Sequence, residues 1–169
     1  MTNLNKYNPY PESIAIRCPK CGEPAEFRFP FTFVGKHGPK PPPAWPSTDV
    51  TTWGNWTVIQ HDPALYPWKQ PPEGHSRAHA GIRACPRCAG RFAHTLSWPS
   101  DAYYSCEIRG QALWAWSRDH VVALVDFLAS AERDPSKYPN YFLYLRHIPS
   151  HFTAAKHREL AVRKLKQLL

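Results

Sequence analysis

Two cysteine turns of one kind, Cys18-Pro-Lys-Cys21 and Cys85-Pro-Arg-Cys88, stand 63 residues apart in this chain. Two intervening residues let both sulfurs of a turn reach one point while backbone N–H groups donate to them. Two such turns put four thiolates at the corners of a tetrahedron, which is the arrangement Zn²⁺ takes with cysteine. The spacing therefore predicts one structural Zn²⁺ held by Cys18, Cys21, Cys85 and Cys88. Gly22 and Gly90 follow the two turns where a positive φ is expected. Lys20 and Arg87, one inside each turn, offset part of the −2 charge of a four-thiolate zinc site. The 63-residue separation exceeds the ~15–20 residues of a compact ribbon. The metal is thus expected to staple the two ends of an insertion, and loop-closure entropy grows only slowly with loop length.

Other cysteine chemistries fit less well. Disulfides belong to oxidising compartments, and the opening residues MTNLNKYNPYPES carry no apolar signal core. A redox pair needs one C-x-x-C in a βαβ setting rather than two near-identical copies. Iron–sulfur proteins usually show further cysteines at fixed spacings. The fifth cysteine, Cys106, is expected in the core, because free cysteine is among the most buried residue types.

The rest of the chain suggests an α+β protein. Residues 1–13 form a polar arm and 14–116 a zinc-ribbon β domain that includes an insertion over 22–84, expected to be an ordered, irregular lobe with one or two hairpins. That insertion holds 11 of the 19 prolines, with Trp45, Trp53, Trp56 and Trp68. Phe27, Phe29, Phe31 and Phe33 alternate as on one strand face, and Pro30 on the other face argues for an edge or a break. Pro41–Pro43 favour an extended polyproline segment. WTVIQ at 56–60 reads as a strand, and 103–116 is rich in strand formers around Gly110. The C-terminal segment, 117–169, is expected to pack on the β domain as two amphipathic helices. In the first, Ser117 caps and Val121, Leu124, Val125 and Leu128 form the apolar stripe. In the second, Thr153 caps, Ala161, Leu165 and Leu168 face inward with Leu160 and Leu169, and Lys and Arg crowd the other side.

The cysteine turns with their adjoining strands, 14–33 and 82–108, resemble the zinc-ribbon group of treble-clef and rubredoxin-like knuckles. The stretch LWAWSRDHVVALVDFL with the tail FTAAKHRELAVRKLKQLL is similar to small bacterial zinc-ribbon proteins of unassigned function. The resemblance implies a shared architecture and no activity.

Charge bears on partners. The chain carries 21 Lys and Arg against 13 Asp and Glu, a formal +8. Residues 151–169 contribute five basic residues against one acidic, +4 of that excess. A clustered basic excess is the footprint of a polyanion partner. The expected function is a non-enzymatic, cytoplasmic zinc-ribbon protein that binds nucleic acid or a nucleoprotein complex. The expected contacts are Lys20, Arg83, Arg87 and Arg91 near the ribbon and Lys156, Arg163, Lys164 and Lys166 at the C-terminus, with exposed tryptophans stacking on bases. The basic and imidazole cluster His75, Arg77, His79, Arg83, Arg87, Arg91 and His94 offers phosphate donors.

Two alternatives stand beside this reading. One is a protein–protein adaptor that docks through the Trp/Pro-rich lobe. The other is a metal-dependent nuclease of the HNH kind, with His120 as base, Asn140 orienting it and His147 or His151 on a metal. Against the second, His120 opens a helix where that chemistry uses a hairpin, and both cysteine pairs precede it. No other catalytic motif suggests an enzyme or a small-molecule substrate. No apolar run approaches the ~20 residues of a membrane span.

Overall fold

In the computed structural model, which describes residues 11, 13–35, 48–53, 55–65 and 80–169, the alternating phenylalanines are divided between two strands. The break falls at Phe29-Pro30, where proline cannot donate to a ladder. Strand β2 (Pro24–Arg28) lies before it and β3 (Phe31–Gly35) after it, in different sheets. The aromatic face is buried on both sides of the break, at Phe27 and Phe31.

The chain divides into two units, Met1–Ser97 and Trp98–Leu169. The first contains two antiparallel sheets. One runs in the order β1 (Ser13–Arg17), β2, β6 (Ala80–Cys85), β7 (Gly90–Thr95). It consists of two hairpins joined by the β2–β6 ladder, in which Glu26 faces Ala84, Phe27 faces Arg83 and Arg28 faces Ile82. Its core is Ile14, Ile16, Phe27 and Ile82, all fully buried. The β2–β6 approach requires Gly81, because a Cβ there would run into the Phe27 ring and the Arg28 carbonyl.

The second sheet, in the order β3, β5 (Trp56–His61), β4 (Thr48–Trp53), lies within the span expected to be irregular. Val58 and Ile59 of β5 are buried, and β-branched residues at 48–52 and 57–59 suit a pleated surface. The β4–β5 hairpin is of the kind expected in the insertion, and β3 extends it to three strands. The insertion's polyproline run, Pro41–Pro43, lies outside the described residues, as do Trp45 and Trp68.

The second unit begins with a hairpin, β8 (Tyr104–Ile108) and β9 (Gln111–Ala115). Arg109 and Gly110 both take positive φ, +51° and +83°, the two-residue turn that matches strand twist. Ile108, Leu113 and Ala115 share a core with the helices, and the division between the two units falls at 97/98 where the sequence suggested 116/117. Helix α1 (Arg118–Ala129) starts where expected: Ser117 Oγ accepts from the His120 N–H at 3.2 Å. Val121, Leu124, Val125 and Leu128 are all buried.

Two 3₁₀ turns (Pro135–Lys137 and Pro139–Tyr141) and two short helices, α2 (Phe142–Arg146) and α3 (Ser150–Thr153), lead to α4 (Ala155–Lys166). Thr153 does not cap α4. Its hydroxyl donates back to the Ser150 carbonyl at 3.2 Å, and the N-cap position is Ala154, with no side-chain cap. Ala161 and Leu165 of α4 are fully buried in the same core as Leu124 and Leu128. Leu160 and Leu168 are partly buried, whereas Leu169 is exposed. Among the described residues, no helix is long and apolar enough to cross a membrane.

Candidate metal centre

Both cysteine turns lie at one end of the first sheet. Cys18 follows β1 and Cys21 lies in the β1–β2 turn, while Cys85 ends β6 and Cys88 lies in the β6–β7 turn. Because β2 leaves one turn as β6 enters the other, their antiparallel ladder brings the two turns side by side. The metal-competent group is therefore assembled by a pairing of strands distant in sequence.

The turns are shaped by their backbones. Cys18 N–H donates to the Glu23 carbonyl and Gly22 N–H to the Cys18 carbonyl, both at 2.8 Å. Gly22 has φ +77°, as expected of a residue just past the second cysteine. In the second turn the corresponding φ, +50°, falls on Ala89 and not on Gly90. Gly90 has a different reason to be small, since a Cβ there would lie 2.7 Å from the Phe92 ring.

The four Sγ atoms lie within 4.8 Å of one another. Cys18–Cys88 and Cys21–Cys85 are separated by 3.9 and 3.6 Å. A tetrahedral ion with metal–sulfur bonds of about 2.3 Å requires sulfur–sulfur edges of about 3.8 Å. The cysteines thus fit a single ion. Cys18 and Cys85 are buried, Cys88 is partly exposed and Cys21 is exposed. Burial opposes ionisation of Cys18, yet the N–H groups of Lys20 and Cys21 bring its thiol down to about 6. Burial and then the three neighbouring sulfurs push Cys88 up to about 12.

Arg83 on β6 donates from Nη1 to the Cys18 sulfur at 3.0 Å. Its guanidinium carbon lies 4.9 Å from the centre of the Phe92 ring. The residue is 8% exposed, and the guanidinium expected to meet phosphate is hydrogen-bonded to a sulfur in the interior. Nothing in sequence spacing announced this bond, which depends on the non-local register Phe27–Arg83–Phe92. Arg91, expected to contact phosphate as well, is partly exposed, and its Nε pairs with the buried Asp62 carboxylate at 3.2 Å. His94 packs edge-on against Phe27. His75, Arg77 and His79 lie outside the described residues, so among the described members of that cluster only Arg87 is exposed.

The remaining basic candidates are divided between the units. Lys20 and Arg87 are exposed, one in each cysteine turn. Lys156, Arg163 and Lys166 are exposed on α4, and Lys164 is partly exposed, its Nζ donating to the Glu107 carbonyl at 2.8 Å. The side chains of Trp53 and Trp56 lie outside the described residues. Cys106 packs at the edge of the helical core and is not a member of the four-cysteine group, and burial pushes its thiol up.

The residues of the nuclease alternative all lie in the second unit. His120 is fully buried, and its Nδ1 accepts from the Trp116 N–H at 3.2 Å. Tyr141, Tyr144 and Trp116 surround the ring, and burial takes its pKa down to about 3. A ring so enclosed cannot take a proton from a solvent-borne nucleophile. Asn140 and His147 are exposed, while His151 Nε2 is bonded to the Ile108 carbonyl at 2.8 Å.

Comparison of the chain with protein-family models, with curated proteins and with solved structures finds no match.

Proposed function

We propose that Cys18, Cys21, Cys85 and Cys88 hold one structural Zn²⁺ in a zinc-ribbon unit, and that the chain is a non-enzymatic protein that binds nucleic acid or a nucleoprotein complex. Zinc is favoured by four sulfurs converging on tetrahedral spacing with no open ligand position, the mark of a structural rather than a catalytic site. Bound there, the ion supplies folding energy and no reaction step.

The observation that carries the binding half is the basic surface of α4, where Lys156, Arg163 and Lys166 are all exposed. Lys20 and Arg87 add exposed charge at the cysteine turns. Polyanion binding of this kind releases counterions and weakens steeply with salt.

The test is fluorescence anisotropy with labelled single- and double-stranded DNA and RNA at two salt concentrations, on protein of verified metal content. Submicromolar, salt-sensitive binding is expected. The triple change Lys156→Glu, Arg163→Glu, Lys166→Glu should weaken it without moving the melting temperature. Absence of binding at low salt contradicts the reading.

A further inference from the structure

A buried cation needs an anion, because its charge cannot be left unpaired in a medium of low dielectric constant. Arg83 is such a cation. Among the described residues no carboxylate lies within ion-pair distance of it, and its Nε has no hydrogen-bond partner. Its one polar contact among the described residues is the Cys18 sulfur at 3.0 Å. The face of Phe92 at 4.9 Å adds a cation–π contact that accommodates the charge without neutralising it.

We infer that Arg83 is the charge-compensating clamp of the metal centre: its guanidinium neutralises part of the excess negative charge of the metal–thiolate group through Cys18 and fixes that sulfur as a ligand. The inference rests on the reading of the four cysteines as a zinc site. Four thiolates around a divalent ion leave −2. Lys20 and Arg87 also oppose that charge, but both are exposed, and water weakens their effect. Arg83 acts from the interior, where the same charge counts for more. Its place is set by the sheet, since β6 holds it between Phe27 of β2 and Phe92 of β7. Only one residue, Ala84, separates this donor from Cys85, so one strand supplies both a ligand and the group that steadies a ligand of the other turn.

Partners that hydrogen-bond to metal ligands are worth about 10–100-fold in metal affinity when removed. The test uses the full chain and measures Zn²⁺ affinity by competition with a chromophoric chelator, together with the thiolate-to-cobalt absorption of the Co²⁺ form. Arg83→Met keeps apolar bulk and removes the charge. Arg83→Lys keeps the charge but loses the planar fork. The inference expects Arg83→Met to bind Zn²⁺ about 10–100-fold more weakly than wild type, with Arg83→Lys recovering part of the loss. It also expects an altered charge-transfer band in Arg83→Met, because the sulfur loses a donor. Wild-type affinity in Arg83→Met overturns the inference while leaving the zinc reading intact. So does an Arg83→Lys protein no better than Arg83→Met, since packing alone would then explain the loss. A wild-type chain that binds neither metal overturns both.

Discussion

The imidazole of His120 lies flat on the phenol ring of Tyr141, with centroids 4.4 Å apart and planes 4° from parallel. The Tyr144 ring stands edge-on to it at the same centroid distance. The imidazole's Nδ1 accepts from Trp116, so the neutral ring carries its proton on Nε2, which has no hydrogen-bond partner among the described residues. His120 thus belongs to the structure of the helical unit, joining the end of the β8–β9 hairpin to the first turn of α1.

This enclosure predicts a pH dependence with a definite sign. Burial lowers the folded-state pKa to about 3, whereas an unfolded histidine titrates near ~6.5. The unfolded state therefore binds the extra proton between these values. The stability from neutral His120 is complete above pH ~6.5 and is lost as pH falls toward 3, by up to about 1.4 kcal/mol per pH unit. Urea unfolding followed by helical circular dichroism at pH 7 and pH 5 should show this slope. His120→Asn, whose carbonyl can still accept from Trp116, should reduce it.

Opposite substitutions in the two cysteine turns should have opposite effects. Gly22 has φ +77° and open space where a Cβ would stand, so Gly22→Ala costs only backbone strain, about 1 kcal/mol. Ala89 already bears such strain at φ +50°, so Ala89→Gly should cost nothing and stabilise by up to about 1 kcal/mol. Urea midpoints of the two single variants at fixed metal content check the signs.

How much of this was legible in the sequence depends on the range of the interactions. The cysteine turns and the Ser117 cap are local patterns, and both lie where spacing places them. The Thr153 cap failed because the same hydroxyl finds a nearer acceptor in Ser150, within a helical turn that sequence reading did not anticipate. The roles of Arg83 and Arg91 were illegible because each partner, Cys18 and Asp62, arrives through non-local pairing. The division at 97/98, where the sequence suggested 116/117, has a related cause. Ile108, Leu113 and Ala115 alternate as in any strand, and alternation does not say which core they enter.

The Asp62–Arg91 pair gives a stability test within the first unit. Asp62 is 4% exposed, and its φ of +52° is one that asparagine also tolerates. Asp62→Asn therefore removes the charge with little backbone penalty and leaves Arg91 without its ion pair. Breaking such a pair from one side, with Arg91 partly exposed, should cost about 1–3 kcal/mol. Thermal melts of the two proteins at low and high salt check the size, and a difference that persists at high salt marks the pair as internal.

The helical core should respond as a packed interior. Leu124 of α1 and Leu165 of α4 are both fully buried. Leu124→Ala should destabilise by about 2–5 kcal/mol, seen in chemical unfolding monitored by helical circular dichroism. Val122→Ala on the exposed side of α1 should change stability by less than about 0.5 kcal/mol.

The central claim is that four of the five cysteines hold one zinc ion. Its most direct test is native mass spectrometry of the purified full chain, with thiol alkylation before and after chelation. The prediction is one Zn²⁺ per chain, with Cys18, Cys21, Cys85 and Cys88 protected together until the chelator removes the metal. A chain that carries no metal, with those four thiols alkylated at once, would contradict it.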